Sequence, residues 1–198
     1  MGFTSAELDA FKGVGLPDLV GPHIRLLFVG INPGLQTAAV QAHFSGRSNR
    51  FYPALFRAGI VDRVIDASAG FTPDDRAHLI GRGVGISNLV RGASRRADEL
   101  TADELRAGAA DLTQCVEALG PAVVALLGIT AYRIAFERPK ATAGRQPEGI
   151  GGSELWVVPN PSGLNAHATI TSLADAYREA AVAAGIPVFD PPVRASTL

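Results

Sequence analysis

The sequence predicts an α/β fold, a three-layer α/β/α sandwich on a mostly parallel central sheet. Three observations carry this. Short unbroken apolar runs such as Leu26-Leu27-Phe28-Val29 and Leu155-Trp156-Val157-Val158 read as strands buried on both faces. Segments with helical spacing and recognisable caps stand between them, the alternation that a parallel sheet with crossover helices requires. Two of the runs stop in rigid Asn/Pro/Gly loops, and open α/β sheets place their ligands at such carboxyl ends.

Residues 5–12 form a short amphipathic helix with Ser5 as its cap. Gly13 to Pro22 is a lead-in to the first strand, which occupies the apolar part of Ile24 to Gly34. Residues 35–50 read as a long loop with room for one helical turn, and a loop of that length in a compact domain is usually functional. Phe51 to Ala58 is helical and ends at Gly59. Thr72-Pro73-Asp74-Asp75 opens a helix to about Gly81, with a cap, a first-turn proline and two acids on the positive dipole end.

Gly83 to Val90 is a glycine-weakened strand with Ser87 and Asn88 at its polar end. Thr101-Ala102-Asp103-Glu104 has the form of a capping box and starts a helix through Leu119, stopped by Gly120-Pro121. Ala122 to Leu127 is a strand, Thr130 to Glu137 a helix, and 138–152 a loop or hairpin. Ser172 to Ala184 is an alanine-rich helix ended by Gly185. The expected organisation is one domain over 1–198, with 1–22 as N-terminal helix and lead-in and 186–198 as a loosely held tail.

Composition narrows the function classes. With 198 residues and 47% hydrophobic content the chain can bury one substantial core. No apolar run is long enough to span a bilayer, and no signal peptide is expected at the start. Cys115 is the sole cysteine, which excludes an intramolecular disulfide and fits a reducing cytoplasm. Net charge is −1, so the molecule as a whole is no basic nucleic-acid binder. The clusters Arg47/Arg50/Arg57 and Arg91/Arg95/Arg96 read equally well as a local phosphate-facing patch or as solvated charge. His23, His43 and His78 lack metal-ligand spacing, so no metal and no cofactor is expected.

The two loops, Gly30-Ile31-Asn32-Pro33-Gly34 and Pro159-Asn160-Pro161-Ser162-Gly163-Leu164-Asn165, suggest one cleft with two walls. Together with Asn49-Arg50-Phe51 between them, this chain resembles the mismatch-specific uracil/thymine-DNA glycosylases of the uracil-DNA glycosylase superfamily over roughly Asp18 to Ala184. The resemblance implies that Asn32 positions the attacking water. It implies that Gly30, Ile31 and Phe44 contact the base, the Phe44 ring as stacking platform, with Thr37 near the base edge. Asn160 would sit beside the sugar and phosphate, and Ser162 would belong to the DNA-facing loop. Leu164 would fill the gap left by a flipped nucleotide, main-chain groups of Gly163 and Asn165 would pair with the orphaned guanine, and Asn88 would make a phosphate or water contact. The implied partner is double-stranded DNA with G:U-type mismatches, handled by a monomer in the bacterial cytoplasm with the chromosome.

Elementary chemistry supports the reading. Extruding a base from a duplex costs a few kcal/mol. An apolar wedge on a rigid loop and an aromatic platform offset it, the platform by roughly 1–3 kcal/mol. Backbone N–H groups around Gly30 to Gly34 can accept charge developing on the leaving base. The Asn32 amide can orient a water but not deprotonate it, so a modest, monofunctional enzyme is expected, and no lysine near either motif offers a Schiff base. The resemblance departs at Arg91-Gly92-Ala93-Ser94, where an Arg-x-Thr pattern is usual, and at Asn165-Ala166-His167 after the wedge.

Each residue also has a plainer reading: Asn32 a turn former before proline, Phe44 a core aromatic, Leu164 a loop anchor, His167 an exposed or capping histidine. Two other functions stay open. One is a non-catalytic binder of mismatched or abasic DNA. The other is a nucleotide-binding α/β protein using Gly30 to Gly34 as a phosphate cradle, although no Gly-x-Gly-x-x-Gly or Lys-Ser/Thr accompanies that loop.

Overall fold

Residues 3–190 are described by the computed structural model. Four strands run parallel in the central sheet: β1 (Leu26–Gly30), β2 (Val84–Asn88), β3 (Val123–Leu127) and β5 (Glu154–Val158). A two-residue strand, β4 (Gly144–Arg145), pairs antiparallel at one edge, so the order is β2-β1-β3-β5-β4. The expected α/β class, with helices on both faces of a mostly parallel sheet, is the one observed.

Burial explains why these runs are strands. Leu26 and Phe28 of β1 enter one core with Val123, Ala125 and Leu127 of β3, while Leu27 and Val29 enter the opposite core with Val124 and Leu126. Both faces of the central strands are therefore apolar, and the alternation is hidden in an unbroken hydrophobic run. Helices α3 (Phe51–Arg57), α4 (Pro73–Gly81) and α7 (Ile170–Ala183) supply side chains to the first core. Helices α5 (Ala102–Leu119) and α6 (Ile129–Ala135) cover the second.

Several boundaries differ from expectation. The first helix, α1, is Ser5–Asp9, and its cap is Thr4 rather than Ser5. Thr4 Oγ1 accepts the Glu7 N–H while Glu7 returns to the Thr4 N–H, a capping box the reading began one residue late. Likewise α7 starts at Ile170 because Thr169 and Ser172 form the box. Residues 35–50 are not all loop: Leu35–Val40 is helix α2, whose Leu35 and Ala38 pack on Ala93 and on Leu8 and Phe11 of the N-terminal segment. That contact partner is distant in sequence, so the local pattern concealed the helix. The expected cap at Thr72 and the expected box at Thr101 are both present, and the Thr72 cap is also a full box with Asp75.

The tail is held more firmly than expected as far as Asp190. Ile186 is buried, Phe189 N–H donates to the Gly59 carbonyl at 2.8 Å, and the Arg82 guanidinium lies over the Phe189 ring. The remainder of the expected loose tail, 191–198, lies outside the described residues. Among the described residues no helix is long and apolar enough to cross a membrane, and no group of His, Cys, Asp and Glu could hold a metal ion.

Candidate active site

At the carboxyl ends of β1, β2 and β5 the chain leaves a cleft of about 620 Å³. Both expected loops line it, with Asn32 and Leu164 on the same cavity, so the two walls of the sequence reading face one crevice. Gly30, Ile31, Thr37, Phe44, Asn88, Asn160, Ser162, Gly163 and Asn165 are also on its lining.

Asn32 follows β1 and is oriented by three oxygens. Its Nδ2 donates to Ser94 Oγ at 2.8 Å, to the Gly92 carbonyl at 3.2 Å and to the Pro33 carbonyl at 3.3 Å. Ser94 is itself aimed, since its hydroxyl donates to the Arg96 carbonyl at 2.7 Å. With the amide nitrogen thus committed, Oδ1 is the atom left for a water, and it has no partner among the described residues. Ser94 was not found from the sequence; it stands in the segment Arg91-Gly92-Ala93-Ser94, which the reading flagged only as a departure.

The pocket floor is Gly30. A Cβ there would come within 2.7 Å of Asn88 Oδ1 and 3.3 Å of the Phe44 ring, so glycine leaves the space between them open. Parallel pairing sets Asn88 beside Gly30. Asn88, expected to contact phosphate or water, lies at the floor with its Oδ1 turned towards Gly30. Phe44 is held at φ 56°, an uncommon conformation for a non-glycine residue and one that persists only when its surroundings impose it. They do so here: Phe44 packs on Phe51 with ring centroids 4.1 Å apart, and Tyr52 Oη donates to the adjacent His43 carbonyl at 2.7 Å. The N–H groups of Ile31 and Phe44 make no main-chain hydrogen bond among the described residues, whereas the Ile31 carbonyl accepts from Val90. Thr37 is buried on the lining, its hydroxyl accepting from Ser45 at 3.3 Å.

The second wall is stiffened by its own side chains. Asn160 Oδ1 accepts the Ser162 N–H at 2.9 Å, the Asn160 carbonyl accepts Asn165 Nδ2 at 3.0 Å, and Ser162 Oγ accepts the Leu164 N–H at 3.3 Å. Asn160 Oδ1 and Ser162 Oγ therefore serve as acceptors that build the loop. A Cβ on Gly163 would lie 2.6 Å from Ser48, so glycine lets this loop close on the opposite wall. Leu164 is 80% exposed and His167 is exposed. The plain reading of Leu164 as a buried anchor is thus wrong, because the loop around it is held by hydrogen bonds instead.

Arg50 holds that loop from the other wall. Its guanidinium donates to the carbonyls of Ser162 at 2.5 Å, Asn165 at 2.9 Å, Pro161 at 3.4 Å and Ala168. Asn49 Oδ1 accepts the Phe51 N–H at 3.0 Å, and the Phe51 ring carries Phe44. The Asn49-Arg50-Phe51 segment is a brace for both walls. The phosphate-facing reading of the arginines fails for Arg50. Arg91, Arg95 and Arg96 are ion-paired with Asp18, Asp9 and Asp98, as solvated surface charges commonly are.

His43 behind the floor is only 2% exposed, and burial lowers its pKa to about 4; Asp18 nearby opposes that shift and Arg76 adds to it. The unfolded chain therefore binds a proton near pH 6.5 that the native state refuses until about pH 4. Stability from this group is complete above pH 6.5 and declines as pH falls towards 4, by about 3 kcal/mol in all. Thermal melts between pH 7 and 4.5 should show a decline that His43→Gln reduces.

A model of the Uracil DNA glycosylase superfamily matches residues 17–183. The fold is similar to the solution structure of a Methanosarcina acetivorans protein named as a putative uracil DNA glycosylase. The TM-score is 0.58 at 15% identity, over 84% of this chain and 97% of that one. Identity at that level speaks to architecture, while the family match spans most of the chain, from residue 17 to residue 183. The chain belongs to the Uracil DNA glycosylase superfamily.

Proposed function

We propose that this protein is a monofunctional glycosylase that flips uracil opposite guanine out of duplex DNA and hydrolyses its N-glycosidic bond. Superfamily membership carries the coarser statement, a hydrolase acting on N-glycosyl bonds. One observation favours the finer reading. A fully presented apolar side chain, Leu164, stands on a braced loop at the rim of a cleft floored by Gly30, Asn88 and Phe44.

In the proposed reaction the extruded base lies against the Phe44 ring, and the Asn88 carbonyl oxygen accepts the uracil N3–H. Ile31 and Phe44 N–H groups take the negative charge that grows on the base oxygens as the bond to C1′ breaks. Asn32 Oδ1 holds a water on the sugar side; as its oxygen bonds to C1′, its proton passes to the departing uracil anion or to bulk solvent. Asp98 is the carboxylate on the cleft lining, and Arg96 engages it, so no free general base stands there. Rate then comes from positioning and leaving-group stabilisation. Neither lysine lines the cleft, so the product is an intact abasic site. Ethenocytosine and thymine opposite guanine are the further candidate substrates.

The direct test incubates the protein with G:U and A:U duplexes and cleaves abasic sites with alkali. Product from G:U is expected; binding without base release under single-turnover conditions would leave a mismatch or abasic-site binder instead. Leu164→Ala is expected to lower excision from duplex about tenfold or more, from the few kcal/mol that a vacated stack costs. The loss should shrink on single-stranded uracil DNA, and the melting temperature should not move, because the side chain is exposed.

A further inference from the structure

We infer that His43, buried behind the pocket, is the specificity-determining positioning residue: it fixes which atom of the Asn88 amide the bound base meets. The inference deepens the pyrimidine reading of the pocket and rests on it.

The argument follows the hydrogens. His43 Nε2 lies 3.1 Å from the Pro17 carbonyl, which can only accept, so Nε2 carries the proton. In the neutral ring Nδ1 is then a bare acceptor. It lies 3.2 Å from the Asn88 amide, which must turn its NH₂ group towards it. Asn88 Oδ1 is left pointing at the space above Gly30, 2.7 Å from where a Cβ on that residue would be. The chain Pro17 carbonyl, imidazole, amide therefore ends in a fixed acceptor at the pocket floor. Burial keeps the ring neutral at working pH, and the Tyr52 hydroxyl holds the His43 backbone in place.

The consequence is chemical. Uracil offers a donor at N3 and an acceptor at O4, matching Oδ1 and the second amide hydrogen. Cytosine offers an acceptor at N3 and a donor at N4, the reverse pattern. Rotating the amide by half a turn would suit cytosine, and the His43 lone pair forbids that rotation. Discrimination against cytosine, a normal DNA base, thus resides in a residue that does not touch the base.

The test uses G-opposed duplexes carrying uncleavable 2′-fluoroarabino-uridine or 2′-fluoroarabino-cytidine. The ratio of the two Kd values is compared between proteins, so the different pairing strengths of the duplexes cancel. His43→Phe, which keeps a ring but removes both nitrogens, should narrow the uracil preference about tenfold, the worth of one hydrogen bond to a fixed partner. His43→Gln, with one donor and one acceptor, should restore most of it. An unchanged ratio in folded His43→Phe overturns the inference. Nitrogen-15 NMR of the wild-type imidazole decides independently of folding in the variant: protonated Nε2 with bare Nδ1 between pH 6 and 8 supports the inference, and protonated Nδ1 overturns it. If G:U duplex yields no abasic product, the glycosylase reading falls, while the tautomer and the Kd ratio still decide this one.

Discussion

Asn32→Ala should reduce single-turnover uracil release from a G:U duplex by about 10²- to 10³-fold, the range found when one preorganised polar group is removed from a reaction centre. Duplex affinity should change little, because the amide meets water rather than DNA in the proposed reaction. The mechanism of the loss is specific. Nδ2 is tied to the Gly92 and Pro33 carbonyls and to Ser94, so Oδ1 has one direction in which to hold a water. Ser94→Ala, which removes one of the three ties, should therefore give a smaller loss of the same kind. Asn32→Asp tests the point differently. A carboxylate would set an oxygen against two carbonyl oxygens that now receive hydrogen bonds, which raises the pKa of the new acid. Its activity should climb with pH, whereas the wild-type rate should stay flat. Wild-type release unaffected by Asn32→Ala would remove this residue from the mechanism.

The second large effect is expected at Arg50. Arg50→Met keeps the aliphatic stem and removes donors from four carbonyls of the 161–168 loop. Hydrogen bonds from a charged donor contribute about 1.5–3 kcal/mol each but are not additive across one network, so a loss of roughly 2–4 kcal/mol is expected in urea unfolding. Arg50→Lys should recover only part of it, since one ammonium cannot fork to carbonyls spread from Pro161 to Ala168. Catalysis should suffer beyond stability. Measured well below the melting temperature, excision from duplex should fall further than excision from single strands, because the wedge on the loop serves only the duplex. Equal losses on both substrates would show that Arg50 supports the fold and not the wedge.

Much of this molecule is written locally. Leu26 to Val29 and Val123 to Leu127 are apolar at every position because both sheet faces are covered, and an unbroken run needs no partner to be recognised. Thr72-Pro73-Asp74-Asp75 and Thr101 to Glu104 announce helix starts because a cap satisfies its own first turn. Helix α2 was hidden because its burial depends on Ala93 and Leu8, and Arg50 was misread because nothing near it in sequence says that its partners are carbonyls.

By itself, then, the sequence determined the α/β class, the order of its elements and the two loops at the strand ends, through periodicity, caps and the turn-forming chemistry of Asn, Pro and Gly. Only the tertiary structure decided what each loop residue is for. The Asn32 amide is aimed by groups 60 and 62 residues away, the Leu164 loop is clamped from 111 to 118 residues away, and Asn88 is turned by His43 across 45. Those partners are a backbone carbonyl, a hydroxyl, a guanidinium and one ring nitrogen, all in irregular segments. Their directions depend on how the chain is folded back upon itself, and no side-chain pattern encodes them.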